Sequence, residues 1–198
     1  MSREPSASNS KEPSRRLFFA LWPDEAMQGA LADSSREAIR RSDGQPVPVQ
    51  NYHFTLAFLG SVVESRIEGV QAVGARVAAA FRDVRQASGA HVRIGLDRIE
   101  YWKKQEILCA TATTASPVAA ALSEALKQAL TAEGFAPDLK PFRAHVTLAR
   151  KVRRATADRT VPPIWWDFPA FHLIESRTLP AGSLYSSRAN WLLDAPAR

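Results

Sequence analysis

The hydrophobic pattern of the chain repeats one order of elements. The apolar run RLFFALW, residues 16–22, predicts a buried strand. Asp24 can cap a following helix, because its side chain accepts hydrogen bonds from the first free backbone amides of a helix. The apolar positions of that helix follow helical spacing at Met27, Leu31, Ala38 and Ile39. A loop over residues 42–50 and a strand over residues 52–60, closed by Gly60, complete the unit.

The same order returns in the second half of the chain. Residues 106–113 predict a strand, and Ser116 predicts a helix cap with Pro117 at the first helical position. Gly134 ends that helix, and FRAHVTLAR, residues 142–150, predicts the next strand. From cap to histidine both copies span 29 residues, as 53 − 24 and 145 − 116. The sequence therefore predicts an internal duplication.

The remaining pattern mixes helices and strands. Residues 64–84 predict a helix, residues 91–102, 171–179 and 185–193 predict strands, and the proline pair at 162–163 predicts a loop. Elements mixed in this way predict an α+β fold. We expect two pseudo-symmetric lobes, each an antiparallel sheet covered by helices, related by a rough two-fold axis around a central groove.

Residues 1–15 differ in composition from the rest of the chain. They are rich in serine, proline and charge, which predicts a disordered tail because such a segment cannot bury enough apolar surface to order itself. Residues 16–198 then form a single two-lobed domain, a size that fits the 198-residue chain.

Composition narrows the class of protein. Hydrophobic residues make up 45% and charged residues 23%, which is typical of a globular protein. No apolar run is long enough to span a membrane, so we expect no membrane partner. The single cysteine, Cys109, excludes an internal disulfide and predicts a buried thiol in a cytoplasmic protein. We also expect a monomer. A net charge of +6 favours a phosphorylated or polyanionic partner.

The two copies of the unit carry the same short motif. NYHFTLAFLG contains His53 and Thr55, and PFRAHVTLAR contains His145 and Thr147. Side chains of a strand alternate between its faces, so each histidine shares a face with its threonine. The apolar residues of the motifs are predicted to face the core: Phe54, Leu56, Phe58, Val146 and Leu148. Such strands fit the floor of a polar groove.

Two imidazoles and two hydroxyls in one groove suit displacement at phosphorus. One imidazole can deprotonate the attacking oxygen and the other can protonate the leaving oxygen, since imidazole titrates near neutral pH. The threonine hydroxyls can donate to the non-bridging oxygens. An arginine can neutralise the remaining charge. Arg143 lies two residues before His145, so strand alternation places both on the groove face. Arg150 falls on the opposite face and reaches the groove only if its strand ends, twists or bulges. These residues leave open which imidazole is the acid.

Metal and cofactor chemistry are not predicted. The chain has no HExxH motif, no close cluster of histidine and aspartate, and no cysteine partner for the paired histidines. Phosphate-binding loops of the Walker type are absent too. The other two histidines, His91 and His172, lack a partner threonine and are predicted to be surface or core residues.

These motifs resemble those of two-histidine (2H) phosphoesterases, and among them the RNA 2′,3′-cyclic phosphodiesterases once named 2′-5′ RNA ligases. The resemblance runs from RLFFALWP through both motifs to ESRTLPAGSLYSSRANWLL. It implies metal-independent hydrolysis of RNA 2′,3′-cyclic phosphate ends, or of cyclic nucleotides, to 2′-phosphomonoesters. It also implies that His53 is the proton donor and His145 the proton acceptor, and that Thr55 and Thr147 hold the phosphate oxygens.

The resemblance further implies residues that bind the substrate. Arg150 would contact phosphate and is preferred to Arg143 despite its parity. Phe142 would stack on the terminal base, and Phe19 is a candidate for the opposite wall. Ala144 stands where relatives usually carry proline, a departure that removes no chemical group.

Two alternatives stay open at this point. The first is ATP-independent 2′-5′ RNA ligation, the reverse reaction, in which a 5′-hydroxyl attacks the cyclic phosphate in place of water. The second is a non-catalytic protein that binds RNA or nucleotides in the same groove.

Overall fold

The computed structural model describes residues 12–89, 91–154, 158–180 and 182–193. Its helices and strands are β1 (Ser14–Leu21), α1 (Glu25–Ser42), β2 (Gln45–Pro46), β3 (Phe54–Val63), α2 (Ile67–Ser88), β4 (Arg93–Trp102), β5 (Ile107–Thr111), α3 (Pro117–Ala132), β6 (His145–Arg150), β7 (Arg159–Asp167), β8 (Ala170–Leu179) and β9 (Gly182–Leu192). Two 3-10 turns, Val49–Asn51 and Glu64–Arg66, precede β3 and α2.

The strands form two antiparallel sheets. The first sheet has the order β3-β1-β8-β9, and the second has the order β2-β6-β5-β4-β7. Apart from the two-residue strand β2, the second sheet repeats the first, because β6, β5, β4 and β7 stand where β3, β1, β8 and β9 stand. The predicted α+β fold with two pseudo-symmetric lobes is confirmed.

The helices are exchanged between the two copies of the unit. The helix α1 follows β1 but packs against β5, β6 and β7 of the second sheet. The helix α3 follows β5 but packs mainly against β3 of the first sheet, with a smaller contact to β4. The helix α2 lies beside α3 and against β9. The apolar faces of both sheets therefore belong to one shared core, which contains Leu17 and Phe19 of the first sheet together with Ile94 and Leu96 of the second.

The predicted helix caps are confirmed. A side-chain oxygen of Asp24 accepts a hydrogen bond from the Met27 amide at 2.8 Å, and the Ser116 hydroxyl accepts one from the Ala119 amide at 3.4 Å. Gly134 follows α3 with a φ of +73°, a conformation that glycine adopts without the cost of a Cβ. Both strand–helix–strand units thus begin their helix with the same kind of contact.

The predicted loop at the proline pair 162–163 is wrong, because both residues lie inside β7. This strand is at the edge of its sheet. Among the described strands it pairs with β4 alone, with a register irregularity between Leu96 and Arg98. Proline is tolerated at edges and bulges, where its missing N–H is not needed by the ladder. The segment 42–50 is likewise not loop throughout, since it contains β2 and the start of the first 3-10 turn.

Two predicted boundaries also need correction. The predicted tail includes Ser14 and Arg15, but both residues belong to β1, where the Arg15 guanidinium pairs with the Glu64 carboxylate at 2.7 Å. Residues 1–11 of the predicted tail lie outside the described residues. Gly60 does not close β3, which continues to Val63 past an irregularity in its pairing with β1.

Cys109 is fully buried in β5, which confirms the predicted buried thiol. Burial raises the pKa of that thiol to about 12, so the sulfur stays protonated at neutral pH. Of the helices in the described part of the chain, none combines the length and the apolar character that a membrane crossing requires.

Candidate active site

The strands β3 and β6 each contain a β-bulge at the leucine of the repeated motif. The neighbours of Leu56 pair with adjacent residues of β1, so Leu56 itself has no partner in the register. Leu148 is unpaired in the same way, because its neighbours Thr147 and Ala149 pair with adjacent residues of β5. A bulge shifts the alternation of side chains by one position. The residues directly after each leucine therefore point to the face opposite to the one that strict alternation predicts.

The bulges bring Phe58 and Arg150 to the face of the histidines. The two residues occupy equivalent positions, two residues beyond the bulged leucine, and both line the cavity that contains the motifs. The prediction that Phe58 faces the core is wrong for this reason. Strict alternation would place Arg150 on the face opposite to His145. The bulge at Leu148 turns Arg150 into the groove. The other predicted core residues of the motifs are buried, as expected: Phe54, Leu56, Val146 and Leu148.

The two imidazoles are oriented in the same way. Nδ1 of His53 lies 2.7 Å from the carbonyl oxygen of Asn51, and Nδ1 of His145 lies 2.8 Å from the carbonyl oxygen of Arg143. A carbonyl oxygen only accepts, so Nδ1 carries the proton and Nε2 of the neutral ring keeps a lone pair. Each histidine therefore offers Nε2 as the atom that can take or give a proton.

Two buried polar side chains hold the segments that lead to the histidines. The Gln28 amide on α1 donates to the carbonyl oxygens of Gln50 and Tyr52, both at 3.3 Å. The Lys127 ammonium on α3 donates to the carbonyl oxygen of Lys140 at 2.6 Å. Gln28 and Lys127 are each only 4% exposed. The helix of each copy thus fixes the approach to the histidine of the same copy.

Three aromatic rings surround the imidazole of His53. The Trp22 ring stacks on it with 3° between the planes and 5.0 Å between the centroids. Phe18 lies at 5.1 Å and Tyr185 stands edge-on at 5.3 Å. On the other side of the groove, the Trp102 ring lies 4.7 Å from the imidazole of His145. Each histidine is therefore packed by at least one tryptophan.

This packing lowers the pKa of both imidazoles. Burial lowers the pKa of His53 to about 4, and the positive charges of His145 and Arg150 add to that effect against the hydrogen bond to Asn51. Burial likewise lowers the pKa of His145, and the charges of Arg143 and Arg150 lower it further. Both rings are therefore neutral in the free protein at pH 7.

One cavity of about 780 Å³ contains both copies of the motif. Its walls include His53, Thr55, Phe58, His145, Thr147 and Arg150. Arg16 and Lys151 add two more positive charges, and no carboxylate belongs to the described residues that line it. The two histidines, which come from separate halves of the chain, therefore share a cleft whose charge favours an anion.

A metal site would need a different set of ligands from the one in this cavity. Over residues 12–89, 91–154, 158–180 and 182–193, no group of three or more His, Cys, Asp or Glu side chains is placed to hold a metal ion. The polar groups that the cavity does supply are imidazoles, hydroxyls and guanidinium groups. These groups bind and protonate phosphate oxygens directly.

Comparison with known proteins identifies the family. Residues 24–179 match the family described as the 2′-5′ RNA ligase superfamily. This chain belongs to that superfamily. The RNA 2′,3′-cyclic phosphodiesterase of Thermus thermophilus is 30% identical over 178 residues, which cover 86% of this chain and 86% of the relative. The RNA 2′,3′-cyclic phosphodiesterase of Escherichia coli is 23% identical and covers 89% of this chain and 92% of the relative.

A solved structure with the same fold agrees with this membership. Escherichia coli LigT, crystallised with 3′-AMP, superposes with a TM-score of 0.73 at 21% identity, over 91% of this chain and 98% of that one. This likeness shows that the two chains share the same fold.

The superfamily resemblance named four substrate-binding candidates, and their positions differ. Arg150 lies in the cleft. Phe142 and Arg143 line a second cavity beside it, and Arg143 is held by the Glu100 carboxylate at 2.7 Å. Phe19 is fully buried in the core, so its prediction is wrong. Phe18, the preceding residue of β1, lines the cleft instead. Alternate residues of a strand face opposite sides, so Phe18 and Phe19 point in opposite directions.

Sequence reasoning missed the aromatic residues that pack the histidines. Trp22, Phe18 and Tyr185 surround His53, and Trp102 packs on His145. The signal for two of them was present in the first strand. By strand alternation, Phe18 and Trp22 of that apolar run share one face, and Phe19 and Leu21 share the other. Because Phe18 is buried and still lines the cleft, an apolar run alone does not distinguish the two faces.

Proposed function

We propose that this protein hydrolyses RNA 2′,3′-cyclic phosphate ends to 2′-phosphomonoesters without a metal ion. In this proposal His145 is the proton acceptor, His53 is the proton donor, and Thr55 and Thr147 hold the phosphate oxygens. The observation that carries it is the pair of equally oriented imidazoles in one cationic cleft. The names of the Thermus thermophilus and Escherichia coli relatives support the same substrate.

The proposed reaction moves one proton to each side of the phosphorus. Nε2 of His145 takes a proton from a water molecule while the water oxygen bonds to phosphorus. The bond from phosphorus to the 3′ oxygen breaks, and that oxygen takes the proton from Nε2 of His53. The product carries a 2′-phosphomonoester and a free 3′-hydroxyl. The carbonyls at Asn51 and Arg143 hold both rings in the orientation that these transfers need.

The remaining groups of the cleft stabilise the charge on the phosphate. Negative charge gathers on the non-bridging oxygens as the water bonds to phosphorus, and the hydroxyls of Thr55 and Thr147 can donate to those oxygens. The Arg150 guanidinium lines the same cavity and offers charge-assisted hydrogen bonds. We therefore assign Arg150 to phosphate binding.

The lowered pKa of His53 fits the role of proton donor. An imidazolium with a pKa near 4 is a strong acid and releases its proton readily to a leaving oxygen. The free protein holds that ring neutral at pH 7, but a bound phosphate supplies a negative charge that favours its protonation. Substrate binding therefore brings the acid into its working form.

The proposal predicts a protein that needs neither a cofactor nor a membrane. Its substrates are RNA ends or cyclic nucleotides. We keep the cytoplasmic location and the monomeric state as predictions from the sequence. Size-exclusion chromatography with light scattering tests the second of these.

One incubation tests the proposed chemistry. An oligoribonucleotide with a 2′,3′-cyclic phosphate end is treated with the protein in EDTA, and the products are separated by chromatography that resolves 2′- from 3′-phosphates. We expect the 2′-phosphate. His53→Ala and His145→Ala should each lower turnover by about 10²- to 10⁴-fold, the usual contribution of one acid or base.

His91→Ala is the matched control. His91 is exposed and lines neither cavity described above, so its loss should leave turnover unchanged. Full activity in both variants of the cleft histidines, or complete loss of activity in EDTA, would contradict the proposal. A joined oligonucleotide as the main product would instead indicate the ligation reaction.

A further inference from the structure

A second cavity of about 580 Å³ opens beside the cleft and shares Thr55, Phe58 and His145 with it. Five cationic side chains line this cavity: Lys103, Lys104, Lys127, Lys140 and Arg143. Among the described residues that line it, Asp138 is the one carboxylate. The cavity therefore carries an excess of positive charge directly next to the place where the phosphate is bound.

Lys127 is the least expected of these cations, because it is only 4% exposed. Its ammonium donates to the carbonyl oxygen of Lys140 at 2.6 Å. No carboxylate of the described residues lies within ion-pair distance of it, and Asp138 interacts with it only at longer range. An ammonium has three N–H donors, and a buried charge without a paired counter-ion is costly. An anion in the cavity would offset that cost.

Two of the other cations already have partners. The Lys140 ammonium lies 3.1 Å from a carboxylate oxygen of Asp138. The Arg143 guanidinium donates to Glu100 and lies 4.2 Å from the centre of the Trp102 ring. Neither charge is free to hold an anion without giving up a partner.

Lys103 and Lys104 make no ion pair with any residue in the described part of the chain. They lie on the turn between β4 and β5, which hydrogen bonds from Gln105 to Trp102 and from Glu106 to Lys103 hold in place. With Lys127 they form the lysine cluster, three cations that face one cavity from two elements.

We propose that the lysine cluster binds the phosphodiester that precedes the terminal cyclic phosphate of an RNA chain. The proposal rests on the proposed function for the identity of its ligand. An RNA strand carries one negative charge per nucleotide, and lysine binds phosphate as a compact positive charge. With the cyclic phosphate between the two histidines, the adjoining cavity is placed for the next phosphate. The protein therefore favours oligonucleotides over cyclic mononucleotides.

A comparison of substrate lengths tests this inference. kcat/KM is measured for a 2′,3′-cyclic mononucleotide and for a trinucleotide with the same cyclic-phosphate end. We expect the trinucleotide to be favoured about tenfold or more, which is the value of one charge-assisted hydrogen bond. Lys103→Ala combined with Lys104→Ala should remove most of that advantage and leave kcat/KM for the mononucleotide unchanged.

The salt dependence gives a second readout. For single-stranded RNA, the slope of log(kcat/KM) against log[KCl] should become shallower by about 0.7 for each phosphate that the double variant no longer neutralises. Lys127→Met tests the buried member of the cluster, with its fold checked by circular dichroism. Should Lys127→Met fail to fold, the exposed pair alone decides the question.

Two further sets of variants serve as controls. Arg40→Ala combined with Arg41→Ala removes two charges from α1, away from both cavities, and should change neither rate. Lys151→Ala tests the alternative that the RNA strand leaves the cleft past Lys151, which lines the cleft itself and not the second cavity. An equal rate for both substrate lengths, or loss of the length effect in Lys151→Ala instead of the lysine pair, would overturn the inference.

Direct binding separates this inference from the proposed function. If neither substrate is hydrolysed, the proposed function fails. The affinities of a 2′-phosphate-ended trinucleotide and of a nucleoside 2′-monophosphate are then compared by calorimetry. Tighter binding of the trinucleotide that depends on Lys103 and Lys104 would still support the phosphate site, and equal binding would reject it.

Discussion

Leu56 and Leu148 are the same position in two copies of one motif, and each is the extra residue of a β-bulge. Their carbonyl groups are hydrogen-bonded from outside the strand. The Ser123 hydroxyl donates to Leu56 at 2.6 Å, and the Val47 amide donates to Leu148 at 2.9 Å. The bulge that turns a cleft residue toward the histidines is thus secured from a different element in each lobe.

Ser123→Ala should destabilise the protein and lower its activity. The hydroxyl is buried, so its loss leaves the Leu56 carbonyl unpaired at a cost of about 1–3 kcal/mol. Urea unfolding measures that loss, and kcat should fall because the bulge sets the positions of Thr55 and Phe58. Ser34→Ala removes an exposed helix hydroxyl and should change neither quantity. Unaltered stability of Ser123→Ala would contradict the assigned role.

Arg150→Ala and Arg143→Ala should differ in effect on a cyclic mononucleotide. Arg150 lines the cleft of the two histidines, so its removal should lower kcat/KM by about 10- to 10²-fold, the value of a hydrogen bond to a charged group. Arg143 is held by Glu100 and Trp102 outside that cleft and should matter much less. Steady-state kinetics of both variants decide between them. A larger loss in Arg143→Ala would reverse the assignment.

The pH dependence should be displaced toward acid. kcat/KM reports the free enzyme, in which the pKa of His53 is lowered to about 4 and that of His145 is lowered from 6.5. The proposed reaction needs His53 protonated and His145 neutral. Both pKa values lie below 6.5, so that form is most populated below pH 6.5, and kcat/KM is already falling as pH rises through 6.5.

The profile of kcat should lie at higher pH than that of kcat/KM. A bound phosphate anion favours the protonated imidazole and so raises its pKa in the complex. Initial rates between pH 4 and 9 at low and at saturating substrate measure both profiles. A kcat/KM optimum at alkaline pH would show that the free imidazoles are not held neutral in this way.

Gly74→Ala should destabilise the protein more than Gly95→Ala. A Cβ at Gly74 would meet the Trp191 ring at 2.6 Å, and that ring is stacked on Phe171 at 5.3 Å. Overpacking of this kind costs about 1–3 kcal/mol. A Cβ at Gly95 would meet Trp165 at 2.8 Å, but that ring is 51% exposed and can move. Thermal unfolding of both variants gives the comparison, and equal melting temperatures would count against it.

Much of this fold and site could be predicted from the sequence. Asp24 and Ser116 marked equivalent helix starts, and the paired motifs at His53 and His145 marked the cleft, because capping and strand alternation are local properties of the chain. These features depend on a few neighbouring residues. A single sequence displays them directly.

The features that escaped prediction depend on pairing between distant segments. The bulges at Leu56 and Leu148 arise from the register with another strand, and they decide where Phe58 and Arg150 point. In the sequence, Lys127 has the spacing of an ordinary polar position on a helix. In the structure it is buried, because the loop before His145 covers it and its ammonium donates to the carbonyl oxygen of Lys140. Local pattern contains no information on either relationship.

The exchange of α1 and α3 between the two sheets makes the halves of this protein inseparable. A chain cut between the two copies would separate β1 and β3 from β8 and β9 of the same sheet, and it would part α1 from the strands that it covers. Neither fragment is a miniature of the whole, in spite of the repeated sequence. The two histidines consequently owe their fixed separation to one interlocked body, with no docking step between independent parts.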